Sequence, residues 1–157
     1  MKAVFAGTFD PITLGHWDII KRASRLFQHL TIAVAHNPKK NHWLDLATRL
    51  RLIEETVQTL PNVSVVAIEG LIADYTKQKG ISILIRGVRS QQDLLFENQM
   101  ALTNQQLNKN LETFLLMASP QVAHISSSLI RDIHHHQGQI DSFVPPAVFL
   151  YLQSHGS

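Results

Sequence analysis

Short apolar runs and amphipathic stretches take turns along this chain. Residues 4–6, 30–35, 63–68, 81–85 and 113–117 are apolar runs with few charges, most of them rich in β-branched residues. Runs of that length and content read as strands buried on both faces. Between them, 16–27, 46–60, 71–79 and about 92–108 carry apolar residues at helical spacing. Gly80 stands where the third helix has to stop. After the fifth run the pattern predicts a helix over 127–136, a turn at Gly138 and a last helix after Pro145-Pro146. Strand and helix alternate without a linker, an internal repeat or a low-complexity segment. The expected fold is therefore α/β: one domain over 1–157, built on a doubly wound, five-stranded parallel sheet with C-terminal helices. Ligands on such a sheet bind beyond the carboxyl ends of the strands, at the switch point. The polar residues after strands one, two, four and five should converge there.

The first of those strand ends is the most informative. Ala3-Val4-Phe5-Ala6 breaks at Gly7, turns through Asp10-Pro11 and restarts at Gly15-His16 as an amphipathic helix. A strand, a glycine-containing turn and a helix start make an anion site, because free backbone N–H groups and the helix dipole point at the ligand. His16 stands at that positive end, where a neutral or protonated imidazole can donate to a phosphate oxygen. The spacing is neither G-x-G-x-x-G nor G-x-x-x-x-G-K-[ST], which argues against a dinucleotide oxidoreductase and a P-loop ATPase.

Composition narrows the partners. There are 14 Lys and Arg against 12 Asp and Glu, a net charge of +2. That balance lacks the basic excess of a nucleic-acid binder. The chain has no cysteine, which removes disulfides, thiolate metal sites and thiol nucleophiles, and is compatible with a cytoplasmic setting. No apolar run is long enough for a bilayer and no leader-like segment precedes the first strand, so no membrane partner is expected.

Three further clusters carry candidate chemistry. Pro38-Lys39-Lys40 leaves the end of strand two, where a flexible ammonium can reach a phosphoryl group. Arg86-Gly87-Val88-Arg89 closes strand four, followed by Asp93 and Glu97; guanidinium forks match phosphate oxygens. Ile125-Ser126-Ser127-Ser128 precedes Arg131 at a helix start, a place for hydroxyl and N–H contacts to an anion. Taken singly, each has a plainer reading: a solvated lysine pair, two exposed arginines at a turn, a serine-rich cap.

Taken together, and in this order, the clusters resemble the nucleotidyltransferase superfamily, with its Rossmann-like sheet and its Thr13-x-Gly15-His16 type of signature. The unbroken Gly7-Thr8-Phe9-Asp10-Pro11-Ile12-Thr13-x-Gly15-His16 string is similar to bacterial phosphopantetheine adenylyltransferases. The chain departs from that family with Phe5-Ala6 before the glycine, Asp45-Leu46-Ala47-Thr48-Arg49 at the second helix, and His124 where an aromatic is common. The resemblance implies adenylyl transfer from ATP to 4′-phosphopantetheine in coenzyme A synthesis, with pyrophosphate released. It assigns catalysis to His16, Lys40 and Arg89. It places Gly7, Thr8, Phe9, His16, Gly87, Val88, Arg89, Glu97, His124, Ile125, Ser126, Ser127 and Ser128 around ATP. It places Thr8, Lys40, Leu71, Ile72, Arg86 and Asn104 around the acceptor, with Lys39 and Asn41 able to share the lysine's role. Mg²⁺ is expected to ride on the ATP phosphates with no dedicated protein ligands. A homohexamer and feedback binding of coenzyme A are further implications.

Two other readings fit the same motifs. One is a nucleotidyltransferase for a different small acceptor; the other is a nucleotide-binding protein that kept the fold without the chemistry. Pyrophosphate release separates them. His134-His135-His136 makes a poor metal site, because adjacent helical residues point apart. Trp17 and Trp43 read as packing residues. An oligomer is expected, with the apolar segment 143–149 as a candidate for burial between subunits.

Overall fold

A computed structural model describes residues 1–155; Gly156 and Ser157, the end of the expected domain, lie outside the described residues. Eleven elements follow one another: β1 (Lys2–Gly7), α1 (Leu14–Leu26), β2 (His29–Ala35), α2 (Leu46–Val57), β3 (Val63–Ile68), α3 (Ile72–Lys79), β4 (Ile83–Val88), α4 (Gln91–Leu107), β5 (Glu112–Met117), α5 (Ser127–His135) and α6 (Pro146–His155). The five strands form one parallel sheet in the order β3-β2-β1-β4-β5. The chain winds outward from β1 in both directions, so the switch point lies between β1 and β4.

Strand alternation divides the core. Ala3 and Phe5 of β1 join Ile32, Val34, Ile83 and Ile85 on one face, against Ile19 and Ile20 of α1 and Leu52 and Ile53 of α2. Val4 and Ala6 join Ala33, Ile68 and Leu84 on the other, against Ile72 and Tyr75 of α3. The central strands β1, β2 and β4 are largely buried on both sides, as their apolar runs predict, while the edge strands β3 and β5 are only partly covered.

Strand four sits later in the chain than the run at 81–85 suggests. Gly80 adopts the left-handed conformation (φ 62°) and ends α3 in a Schellman motif. Its N–H reaches the Lys77 carbonyl at 3.4 Å, and the Ile81 N–H reaches that of Thr76 at 2.9 Å. Ile81 is thereby spent on the helix end. Pairing with β5 carries the strand on through Arg86, Gly87 and Val88, opposite Leu115, Leu116 and Met117. Arg86 and Gly87 are strand residues, not members of a following loop.

Helix α4 is inverted. Its buried residues are Glu97 and Asn104, while Leu94, Leu95, Phe96, Met100 and Leu102 face outward. With Phe114 and Met117 on the edge strand β5 they are a set of exposed large apolar side chains. The segment 143–149 does the opposite of what its composition suggests. Val144 and Val148 lie in this chain's own core, and the Phe143 carbonyl accepts from Leu14 N at 3.0 Å, tying the C-terminal region to α1.

Candidate functional site

A cavity of about 300 Å³ opens at the carboxyl ends of β1 and β4. Its walls come from four places: Gly7 and Thr8 at the end of β1, His16 on α1, Arg86, Gly87 and Arg89 at the end of β4, and Ser126 to Ser128 at the start of α5. These elements meet because the switch point separates the helices that leave β1 and β4.

Thr13 caps α1 and builds the first wall. Its hydroxyl accepts from His16 N at 3.3 Å, and its own N–H donates to His16 Nδ1 at 3.0 Å, a reciprocal capping box. An Nδ1 that accepts a backbone N–H carries no proton. The neutral ring therefore holds its proton on Nε2, the nitrogen left for the cavity. Burial, then the guanidinium of Arg89, then that of Arg86 push the His16 pKa from 6.5 down to about 4. The imidazole is a neutral donor near pH 7. Phe9, held at a φ of 51° in the turn, places its ring 4.9 Å from the His16 ring and fixes its other side.

The second wall is made of two ion pairs. Arg86 Nε and Nη2 donate to Glu97 at 2.8 and 2.7 Å, with the carboxylate almost fully buried, and Nη1 donates to the Ala6 carbonyl at the end of β1. Arg89 donates from Nε to Asp93 at 3.1 Å and from Nη1 to the Ile125 carbonyl at 3.2 Å. Each guanidinium is oriented before any ligand arrives, which lowers the ordering cost of binding an anion.

The third wall is the start of α5. Ser126 caps it, accepting from Leu129 N at 3.1 Å. Ser127 donates to the Pro11 carbonyl at 2.7 Å, joining α5 to the β1–α1 turn. Backbone N–H groups and the positive helix end face the cavity beside His16.

Lys40 lies on an exposed turn between β2 and α2 and lines an adjoining recess with Asp10, His42, Arg131 and the shared wall of Thr8, Ser127 and Ser128. Other sequence candidates sit elsewhere. Val88 is fully buried behind the strand end, and Asn104 is buried on α4 away from the cavity wall. Leu71 is exposed and Ile72 half-buried at the start of α3. His124 stands edge-on to Phe143, with ring centres 6.0 Å apart. Sequence reasoning placed Thr13 in the signature but missed its bond to His16 Nδ1. It also missed the Arg86–Glu97 pairing and the buried Arg49, which donates to the carbonyls of Thr8, Ala35 and Leu44. Among the described residues no three His, Asp or Glu side chains are grouped to hold a metal ion. Within the His134–His136 run, His134 lies edge-on to Trp43 at 5.3 Å, while His135 and His136 are exposed.

Residues 4–133 match the family described as cytidylyltransferase-like. A phosphopantetheine adenylyltransferase of Pasteurella multocida is 45% identical over 154 residues, covering 98% of both chains. One from Haemophilus ducreyi is 43% identical over 96% of this chain and 94% of its own. The chain belongs to the phosphopantetheine adenylyltransferase family. The fold extends further than the sequence likeness. A putative nicotinate-nucleotide adenylyltransferase from Vibrio parahaemolyticus superposes with a TM-score of 0.75 over 99% of this chain and 93% of its own, at 18% identity.

Proposed function

We propose that this chain transfers the adenylyl group of ATP to 4′-phosphopantetheine, forming dephospho-coenzyme A and pyrophosphate. Membership of the family supports the reaction, and one observation carries the mechanism: the Thr13 N–H fixes His16 as a neutral Nε2–H donor in the cavity wall. An oxygen of the acceptor phosphate attacks the α-phosphorus of ATP in line. The bond from that phosphorus to the bridging oxygen breaks, and pyrophosphate leaves with the electron pair. Charge grows on the non-bridging α-oxygens as the five-coordinate state forms. In this reading His16 Nε2–H, Arg89 and the α5 N-terminus meet that charge, and Lys40 meets the acceptor phosphate. The protein supplies position and preset donors, and it forms no covalent bond to substrate.

Asp93 and Glu97 are already engaged by Arg89 and Arg86, and Asp10 by backbone N–H groups. That donor set suits Mg²⁺ held by phosphate oxygens and water, where it would neutralise phosphate charge. Coenzyme A shares the product's pantetheine arm and adenylate and fits as a feedback ligand of the same site. The outward apolar residues of α4 and β5 favour a symmetric oligomer, the homohexamer in our reading, acting in the cytoplasm.

Pyrophosphate release with ATP, Mg²⁺ and a panel of phosphorylated acceptors tests the assignment. Release should require phosphopantetheine. Release with nicotinate mononucleotide instead assigns the fold a different acceptor, and no release with any acceptor leaves a nucleotide-binding protein.

A further inference from the structure

The turn that joins β1 to α1 holds a buried carboxylate that does not line the cavity around His16 and has His42 Nδ1 of the lysine-bearing loop 3.9 Å away. Asp10 is 6% exposed. One carboxylate oxygen accepts from Trp43 N at 2.7 Å and the other from Leu44 N at 2.8 Å. Both donors belong to the segment between β2 and α2, on the far side of Lys40. The main-chain carbonyl of the same Asp10 accepts from Arg131 Nη1 of α5 at 2.6 Å. One residue thus grips the lysine-bearing loop with its side chain and the serine-bearing helix with its backbone.

The loop is pinned at both feet and free between them. At its start, His36 N donates to the Ile68 carbonyl at 2.9 Å, and Arg49 holds the Ala35 carbonyl at 3.0 Å. At its end stand Trp43 and Leu44 on the Asp10 carboxylate. In between, Lys39 N and Lys40 N bond only to Asn37, at 3.0 Å each, and residues 37–41 are exposed. A long ammonium side chain on such a turn has no fixed position of its own. Its place is set by the nearer foot, three residues away at Trp43. A carboxylate that accepts two backbone N–H groups forms strong, oriented bonds. Exchanging one oxygen for an amide nitrogen would set a donor against a donor.

We infer that Asp10 is a positioning residue for Lys40: its carboxylate sets the distance between the acceptor-phosphate lysine and the Ser127–Ser128 end of α5. The inference rests on the acceptor role proposed above for Lys40. The two grips predict a division of labour. Asp10→Asn changes the side chain alone and leaves the carbonyl bond to Arg131 in place. It should loosen the acceptor side and spare the ATP side.

The test is a double-mutant cycle in steady state, with ATP affinity followed by calorimetry and folding by thermal melting. Asp10→Asn should raise the KM for phosphopantetheine at least tenfold and change ATP affinity less than threefold. In a Lys40→Ala background the same substitution should add less than twofold, because its effect passes through Lys40. Should Asp10→Asn fail to fold, one glycine inserted between Asn41 and His42 lengthens the span and leaves the carboxylate untouched. It should raise the same KM. The inference is overturned if Asp10→Asn keeps the wild-type KM, if its effect multiplies with that of Lys40→Ala, or if the insertion changes nothing. Failure of the wild-type protein to use phosphopantetheine would instead overturn the proposed function.

Discussion

Thr13 N donates to His16 Nδ1 at 3.0 Å, and the Thr13 hydroxyl accepts from His16 N in return. The same pair that starts α1 also sets which nitrogen of the imidazole carries a proton. Helix capping and the chemistry of the site are one arrangement here, and removing the cap tests both.

Thr13→Ala removes the hydroxyl and leaves the backbone N–H on Nδ1. An N-cap replacement of this kind costs about 1 kcal/mol. The melting temperature should fall by several degrees, and kcat should change only a few-fold. A hundredfold loss of kcat with an unchanged melting temperature would show that the hydroxyl, and not the N–H, governs the ring.

The low pKa of His16 sets a pH dependence with a defined sign. The folded value is about 4 against 6.5 for the free side chain, through burial and then Arg89 and Arg86. Between those values the unfolded chain binds the proton and the folded chain does not, so stability rises with pH across that window. The contribution is complete above about 6.5 and is lost as pH falls toward about 4. Turnover governed by His16 should stay flat from pH 8 to about 5. A kcat that halves near pH 6.5 on the acid side would place a protonatable, ordinary imidazole in the wall. Nitrogen chemical shifts of the His16 ring give the tautomer directly.

Much of this was legible from the chain. The Gly7-to-His16 string placed the turn and the helix start, and the alternation of apolar runs gave the sheet. Strand four was misplaced because Ile81 looks like a strand residue, while its local role is to close a Schellman motif. The inversion of α4 was hidden as well, since apolar periodicity does not say which face meets the protein. Arg86 is read toward the acceptor and Glu97 toward the nucleotide, yet they pair across a strand and a helix that only tertiary structure brings together. Asp10 reads as a turn former, and its hold on Trp43 and Leu44 spans more than thirty residues.

That pairing changes what Arg86→Ala should do. It leaves Glu97 as a buried carboxylate without its cation, a loss on the order of 3 kcal/mol for a pair of this kind. Both stability and acceptor binding should suffer, with the KM for phosphopantetheine up at least tenfold, about 1.4 kcal/mol. Restoring the melting temperature with a second change, Glu97→Gln, should leave the raised KM in place. If the second change also restores KM, Arg86 is structural and does not meet the acceptor.

The exposed apolar face of α4 should be covered in solution. Phe96 is 58% and Leu95 68% exposed in the single chain, so glutamate at both positions meets little inside the subunit. Light scattering should report an oligomer for the native chain at micromolar concentration and smaller species for the double variant, with helix content kept. A native monomer would contradict the assembly.

In the proposed mechanism His16 acts in the transition state as a neutral donor. Loss of one preset donor of this type costs on the order of 10²–10³ in rate, and an interaction made mainly in the transition state leaves substrate affinity alone. Single-turnover pyrophosphate release by His16→Ala, with calorimetric titration of ATP on the same sample, is the direct measurement. The variant should fold, bind ATP within a few-fold of the native protein and turn over at least about a hundredfold more slowly. Native turnover, or a loss of ATP binding that accounts for the whole defect, would contradict that mechanism.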